Sequence, residues 1–149
     1  KISKSFFLRK YSDHPLYKYN FGVCKNEEDL LFILVFREIN VGEAKVLRIV
    51  DFLGSEHNLD TVLNQLYSLM KDNNLEYIDF YEHGLDKEPL KKANFILRNA
   101  EADLVVPNYF EPFINKNIEI NFAYKTKDLK DKKLLFFKGD GDQDRPSHL

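Results

Sequence analysis

The spacing of apolar positions along this chain changes period several times, and each change marks an element. Residues 1–12 carry an aromatic and basic patch, Phe6-Phe7-Leu8-Arg9-Lys10-Tyr11, read as the end of a helix. His14-Pro15 stops it, because the residue before a proline is pushed out of the helical region. Tyr17 to Lys25 then reads as a strand, Asn26-Glu27-Glu28-Asp29 as a hairpin turn, and Leu30 to Ile39 as a strand apolar on both faces. Asn40-Val41-Gly42-Glu43 turns the chain into a third strand, Lys45 to Leu53.

The clearest periodicity follows. Leu59, Val62, Leu63, Leu66, Leu69 and Met70 recur at three- and four-residue spacing, which makes one apolar stripe on a helix. Asn58 is the expected N-cap, Asp60 suits the positive end of the helix dipole, and Asn73-Asn74 ends the segment. With the strand expected at Glu76 to Glu82, this makes a βαβ unit, whose two strands run parallel with a right-handed crossover. A short helix over Lys87 to Ala93 comes next, then a strand within Asn94 to Val106 and a loop or helical turn over Pro107 to Phe113. Ile118 to Lys125 and Lys133 to Lys138 are expected to close the chain as an antiparallel pair around a charged turn, 126–132. The predicted fold is α/β (α+β): a mixed, largely antiparallel twisted sheet with one central parallel βαβ unit.

Composition narrows the class. At 149 residues the chain is one domain with room for a sizeable core. The net charge of -2, without a basic stripe, argues against binding nucleic acid or a membrane surface. A single cysteine, Cys24, cannot form an internal disulfide, and no apolar run approaches the roughly 20 residues of a membrane span. A cytoplasmic protein is the expectation. Because the sequence begins Lys1-Ile2-Ser3, it is read as the C-terminal part of a longer protein.

Three groups of residues could carry chemistry. The expected parallel strands end in Val50-Asp51-Phe52-Leu53-Gly54 and Asp79-Phe80-Tyr81-Glu82-His83, and ligands of open α/β sheets favour the crevice beyond such ends. Alternation puts Tyr77, Asp79, Tyr81 and His83 on one face, so a carboxylate-oriented imidazole from Asp79 and His83 is a candidate general base, with Asp51 nearby. The bland alternative is a polar sheet face with a capping histidine. Gly54-Ser55-Glu56-His57-Asn58 joins strand to helix where an anion could meet free N–H groups, but it holds one glycine, and Glu56 would repel a diphosphate. Arg9, Tyr11, His14, Tyr17 and Tyr19 form a polar-aromatic cluster that suits a cleft wall or a sealed sheet edge. Finally, Asp140-Gly141-Asp142-Gln143-Asp144 matches the start of a calcium loop, but Arg145 and Pro146 replace what that loop needs, so no metal is expected. Aspartates capping backbone N–H groups, with Arg145 paired to one of them, are the simpler reading.

The order of elements resembles the GNAT (acyl-CoA N-acyltransferase) fold from its second strand onward, with Ala93-Asn94-Phe95 similar to that family's Ala-Gly-Phe. Arg9-x-Tyr11-x-x-His14-Pro15-x-Tyr17-x-Tyr19, Arg48-Ile49-Val50-Asp51 and Asp140-x-Asp142-x-Asp144-Arg145-Pro146 are similar to a bacterial GNAT-like group associated with cell-surface polysaccharide synthesis. The resemblance implies transfer of an acyl group from acyl-CoA (acetyl-CoA) to a small-molecule amine or amino sugar. It implies Val50, Phe52, Gly54, Ser55 and Asn58 along the CoA, and His83 or Asp79 as the base. Asp51, Tyr81, His14, Tyr17, Asp144 and Arg145 would then lie around the acceptor. The family's pyrophosphate loop, Gln/Arg-x-x-Gly-x-Gly/Ala, has no good counterpart at 54–58, Leu90 stands where many members have a tyrosine, and Asn94 replaces the glycine. A non-catalytic GNAT-like module that binds a sugar nucleotide, a peptide or a partner subunit is the alternative.

Overall fold

The computed structural model describes residues 3–27, 29–98, 104–106, 116–117, 121–125 and 133–141. A helical turn α1 (Lys4–Phe7), capped by the Ser3 hydroxyl, passes directly into a π-helical turn over Leu8–Ser12. The wider turn is closed by the Asp13 N–H donating to the Leu8 carbonyl at 2.9 Å, and Tyr11 is its buried residue. Three strands follow, β1 (Asn20–Lys25), β2 (Leu30–Val41) and β3 (Ala44–Gly54). The β1–β2 turn is held by Asn26, whose N–H donates to the Asp29 carbonyl while its side-chain oxygen accepts from the Asp29 N–H at 2.6 Å. Gly42, at φ 61°, makes the β2–β3 turn in the left-handed region that suits glycine.

Helix α2 (Leu59–Asp72) then packs its stripe on one face of the sheet, with Leu59, Val62, Leu63 and Leu66 buried. Burying such side chains stabilises by about 1.5–3 kcal/mol each. Leu69 lies at the edge of the stripe and is 37% exposed, so the apolar face is narrower than its spacing implied. Asn58 is not a side-chain cap either. It sits at φ 64° in the left-handed region and makes no capping bond.

The strand expected at Glu76–Glu82 is two short pieces, β4 (Ile78–Phe80) and β5 (Glu82–His83). The larger sheet has the order β1-β2-β3-β4 and is antiparallel except for β3–β4, which is parallel as the βαβ reading required. Helix α3 (Lys87–Lys92) is capped by Asp86, whose carboxylate accepts from the Glu88 N–H at 3.1 Å. The last strand among the described residues, β6 (Phe136–Phe137), pairs antiparallel with β5, with His83 opposite Phe136 and Glu82 opposite Phe137. One expectation changes here: β6 takes β5 as its partner, and residues 121–125 are not in a strand. Residues 94–98 and 104–106 form no strand, while 99–103 and 118–120 lie outside the described residues. The expected loop at Pro107–Phe113 and the turn 126–132 lie outside the described residues.

Candidate site: a fork in the sheet beside a buried carboxylate

Sequence alternation fails at one point in β3, and the site is built on that failure. Leu47 and Ile49 face the α2 core, so strict alternation would send Asp51 there as well. A β-bulge intervenes: Val35 pairs with Asp51 but Phe36 pairs with Ile49, leaving Val50 as the extra residue. Phe52 returns to the α2 core, while Val50 and Asp51 are turned toward the opposite face, where Tyr11 packs. Without the bulge, a carboxylate would be driven into the apolar core.

Asp51 is 2% exposed and its two oxygens are differently engaged. Oδ1 accepts from the Phe52 N–H at 2.8 Å, and Oδ2 accepts a short bond from the Tyr11 hydroxyl with the Lys10 ammonium 3.5 Å away. Burial raises the proton affinity of this carboxyl above the usual range, opposed by the Tyr11 bond and the Lys10 charge. The Tyr11 hydroxyl is pushed far above the ordinary phenol range, first by burial and then by the negative Asp51. Asp140, just past β6, adds a second carboxylate that raises both groups.

β3 and β4 pair only over Leu47–Ile49 with Ile78–Phe80. Beyond that point β3 runs on to Gly54, while the other prong turns away as β5 to pair with β6. The sheet therefore forks. The Ser55 N–H donates to the Leu31 carbonyl at 2.9 Å, which fixes the hydrogen-bonding parity of the β2–β3 ladder. Asp51 and Leu53 then direct their peptide groups to β2, and Phe52 directs its own into the fork.

The chain's own segment reaches across this fork. Phe137 lies between the prongs on the α2 side, its ring 6.1 Å from Phe52 and 5.9 Å from Phe80. On the other side Lys138, 3% exposed, sets its ammonium 4.4 Å from the centre of the Tyr81 ring. Gly139 is so close to β3 that a methyl group there would come 2.9 Å from the Val50 carbonyl and 2.5 Å from the Tyr11 hydroxyl. Asp140 fastens this turn by accepting from the Phe137 N–H at 2.9 Å.

Next to the fork lies a row of buried charge. Arg37, Arg48 and Asp79 are consecutive cross-strand neighbours, and Arg48 is 0% exposed. The Arg48 guanidinium donates to both Asp79 oxygens at 2.6–3.1 Å, a forked geometry that a lysine could not reproduce. Tyr81 is half-buried, and burial, followed by the nearby Asp79 charge, raises its hydroxyl above the ordinary range.

The expected site residues are thus distributed unevenly. Val50, Asp51, Phe52 and Tyr81 gather at the fork. Asp79 is held by Arg48, so its carboxylate does not orient His83; the exposed His83 ring makes its described contacts with Phe122 and Phe136. His14 and Tyr17 stack on each other at 5.2 Å, the His14 Nδ1 accepts from the Tyr17 N–H at 2.9 Å, and Arg37 lies 4.0 Å from the Tyr17 ring centre. Gly54, Ser55 and Asn58 line an open cleft of about 680 Å³ where β3 leads into α2. Glycine is required at position 54 by the backbone: φ is 126°, and any side chain would run into Leu31 and Phe32. In the same cleft the Glu56 carboxylate is paired with Lys133 and accepts from the Asp86 N–H at 2.6 Å. Asp144 and Arg145 lie outside the described residues.

Sequence reasoning missed Tyr11 as the partner of Asp51, and Lys138 and Gly139 as parts of the fork. No local signal marks them, because each acts across a long stretch of chain. Among the described residues no cluster of three or more His, Cys, Asp or Glu could hold a metal ion, and no helix is long and apolar enough to cross a membrane.

No protein-family model matches the chain, and neither does any curated protein. Two solved structures of TTHA1254 from Thermus thermophilus, the wild type and a point mutant, are similar to it over 56% of this chain and 68% of theirs. Each has 19% identity and a TM-score of 0.46.

Proposed function

We propose that this domain is an acyl-CoA-dependent N-acyltransferase that works at the fork between β3 and β4. Its acceptor is an amine, an amino sugar in the surface-glycan setting that the resemblance implies. The observation that carries the reading is the fork itself. Past Ile49, β3 turns peptide groups toward a gap instead of a neighbouring strand, which suits an extended, amide-bearing arm such as pantetheine. Asp51 stands at that gap with a raised proton affinity, as a general base needs. In the reaction the amine nitrogen bonds to the thioester carbonyl carbon, the carbon–sulfur bond breaks and the thiolate leaves. The proton released by the amine passes to Asp51. Asp79, bonded to Arg48, has a positioning role, and His83 stands outside the chemistry at the exposed rim.

A second reading, a non-catalytic module, is favoured by Glu56. In the CoA reading the diphosphate would lie at the start of α2, where this carboxylate and Asp60 add negative charge beside Lys133 and Lys92. Two donors separate the readings. S-Acetylpantetheine lacks the diphosphate and acetyl-CoA carries it, and a ligand that binds only the folded state raises the melting temperature. The enzyme reading expects a shift with both, and a larger one with acetyl-CoA alone in Glu56→Gln. If neither donor shifts the transition at millimolar concentration, the enzyme reading is lost.

A further inference from the structure

Two of the groups that β3 turns to the fork are already occupied or covered by the chain itself. The Phe52 N–H donates to the carboxylate of its neighbour Asp51 at 2.8 Å. The Val50 carbonyl is covered by Gly139, whose lack of a side chain permits the approach. The covering turn is anchored by Phe137 packed between the prongs, by buried Lys138 and by the Asp140 carboxylate on the Phe137 N–H. A strand edge left free by a fork would normally bond to water. Here the Phe52 N–H is bonded to the base itself, and the Val50 carbonyl is screened by a turn from a distant part of the sequence.

We infer that the Lys138–Asp140 turn and the Asp51 carboxylate form a double latch on the β3 edge, which an incoming acyl-pantetheine must release. The ligand's amide carbonyl takes the Phe52 N–H and its amide N–H takes the Val50 carbonyl. The turn is displaced from β3, and Asp51 gives up its bond to the backbone. The carboxylate is thereby freed to accept a proton only when the acyl donor is seated. Between turnovers it stays bonded to Phe52 and Tyr11. The inference rests on the acyl-donor reading above and adds to it a state in which the empty site is closed by its own chain.

Asp140→Ala tests it on the full chain. Asp140 is exposed, and its removal takes away the Phe137 anchor without creating a cavity. A ligand that must displace a closed state binds more weakly by the fraction that is open, so loosening the latch strengthens binding. Calorimetry with S-acetylpantetheine should show about fivefold tighter binding to the variant, the factor expected for one net hydrogen bond. Hydrogen exchange should be faster at the Phe137 amide and unchanged in α2. Binding by wild type with an equal or weaker affinity in Asp140→Ala overturns the latch and leaves the acyl-donor reading standing. If neither protein binds S-acetylpantetheine, the acyl-donor reading falls and takes the latch with it. As a second arm, Asp51→Ala frees the Phe52 N–H directly; it too should bind more tightly, and weaker binding counts against the latch.

Discussion

Replacing one member of the Arg48–Asp79 pair should cost more than replacing both. Arg48 is 0% exposed and Asp79 5%, and their contact consists of three hydrogen bonds at 2.6–3.1 Å. Removing one partner of a buried pair leaves a charge out of water with its main counter-charge gone, which costs about 3–5 kcal/mol. Asp79→Val should be the worst case, because Arg48 is also the cross-strand neighbour of Arg37. Deleting the carboxylate leaves two cations side by side in the sheet. Arg48→Met instead strands the carboxylate but relieves that repulsion, so its loss should be smaller. Joining the two substitutions replaces the ion pair by apolar side chains of suitable size. The double variant should recover most of the loss, since such replacements are often neutral or stabilising. Urea and thermal unfolding followed by circular dichroism measure all four proteins, and the Asp79→Val melting temperature should fall by on the order of 10 °C. A double variant no more stable than Asp79→Val would refute the reasoning, because the cost would then lie in packing.

Other outcomes follow from single contacts. Gly139→Ala should lose about 1–3 kcal/mol through overpacking against Tyr11 and Val50. Gly42→Ala meets nothing within 4 Å and should lose only the left-handed backbone term, about 1–2 kcal/mol; a Gly139→Ala urea midpoint equal to that of wild type would contradict the close approach at Gly139. The Asp51 carboxyl has a raised proton affinity in the fold, so the folded chain binds the proton more tightly than the unfolded one. Its contribution to stability is present below the unfolded value of 3.8 and is lost as pH rises through the folded value. Asp51→Asn should therefore gain on wild type as pH rises from 3.8 through that window, and a flat or opposite difference in urea midpoints would exclude burial as the dominant cause. Asp86→Ala removes the cap of α3 and should cost about 1 kcal/mol, read from the same unfolding curves.

Much of the fold is legible in local pattern. The stripe from Leu59 to Leu66 makes α2 an amphipathic helix wherever it lies, and Gly42 makes a turn because its φ of 61° is open to glycine. The runs of β2 and β3 read as buried strands for the same reason, and a helix joining two adjacent strands of one sheet is the usual crossover between parallel neighbours. These features depend on interactions within a few residues, where period and conformational preference act directly. The charged row was legible only in part: Asp79 stood out as a polar residue on a strand, but nothing in sequence says whether Arg48 or His83 holds it.

The sequence alone determined the strands β1 to β3, where α2 begins and ends, and that Asp51 and Tyr81 stand at the ends of strands meant to be neighbours. Tertiary structure decided what the site is. The bulge at Val50 turns Asp51 out of the core; the π-helical turn puts Tyr11 against it; and β6 pairs with β5, which carries Lys138, Gly139 and Asp140 across the fork. None of these has a local signature, because each is fixed by the need to satisfy buried polar groups with partners distant in the chain. A one-residue bulge reverses the face of every later side chain in its strand. Only the packed sheet and its neighbours determine where that reversal falls.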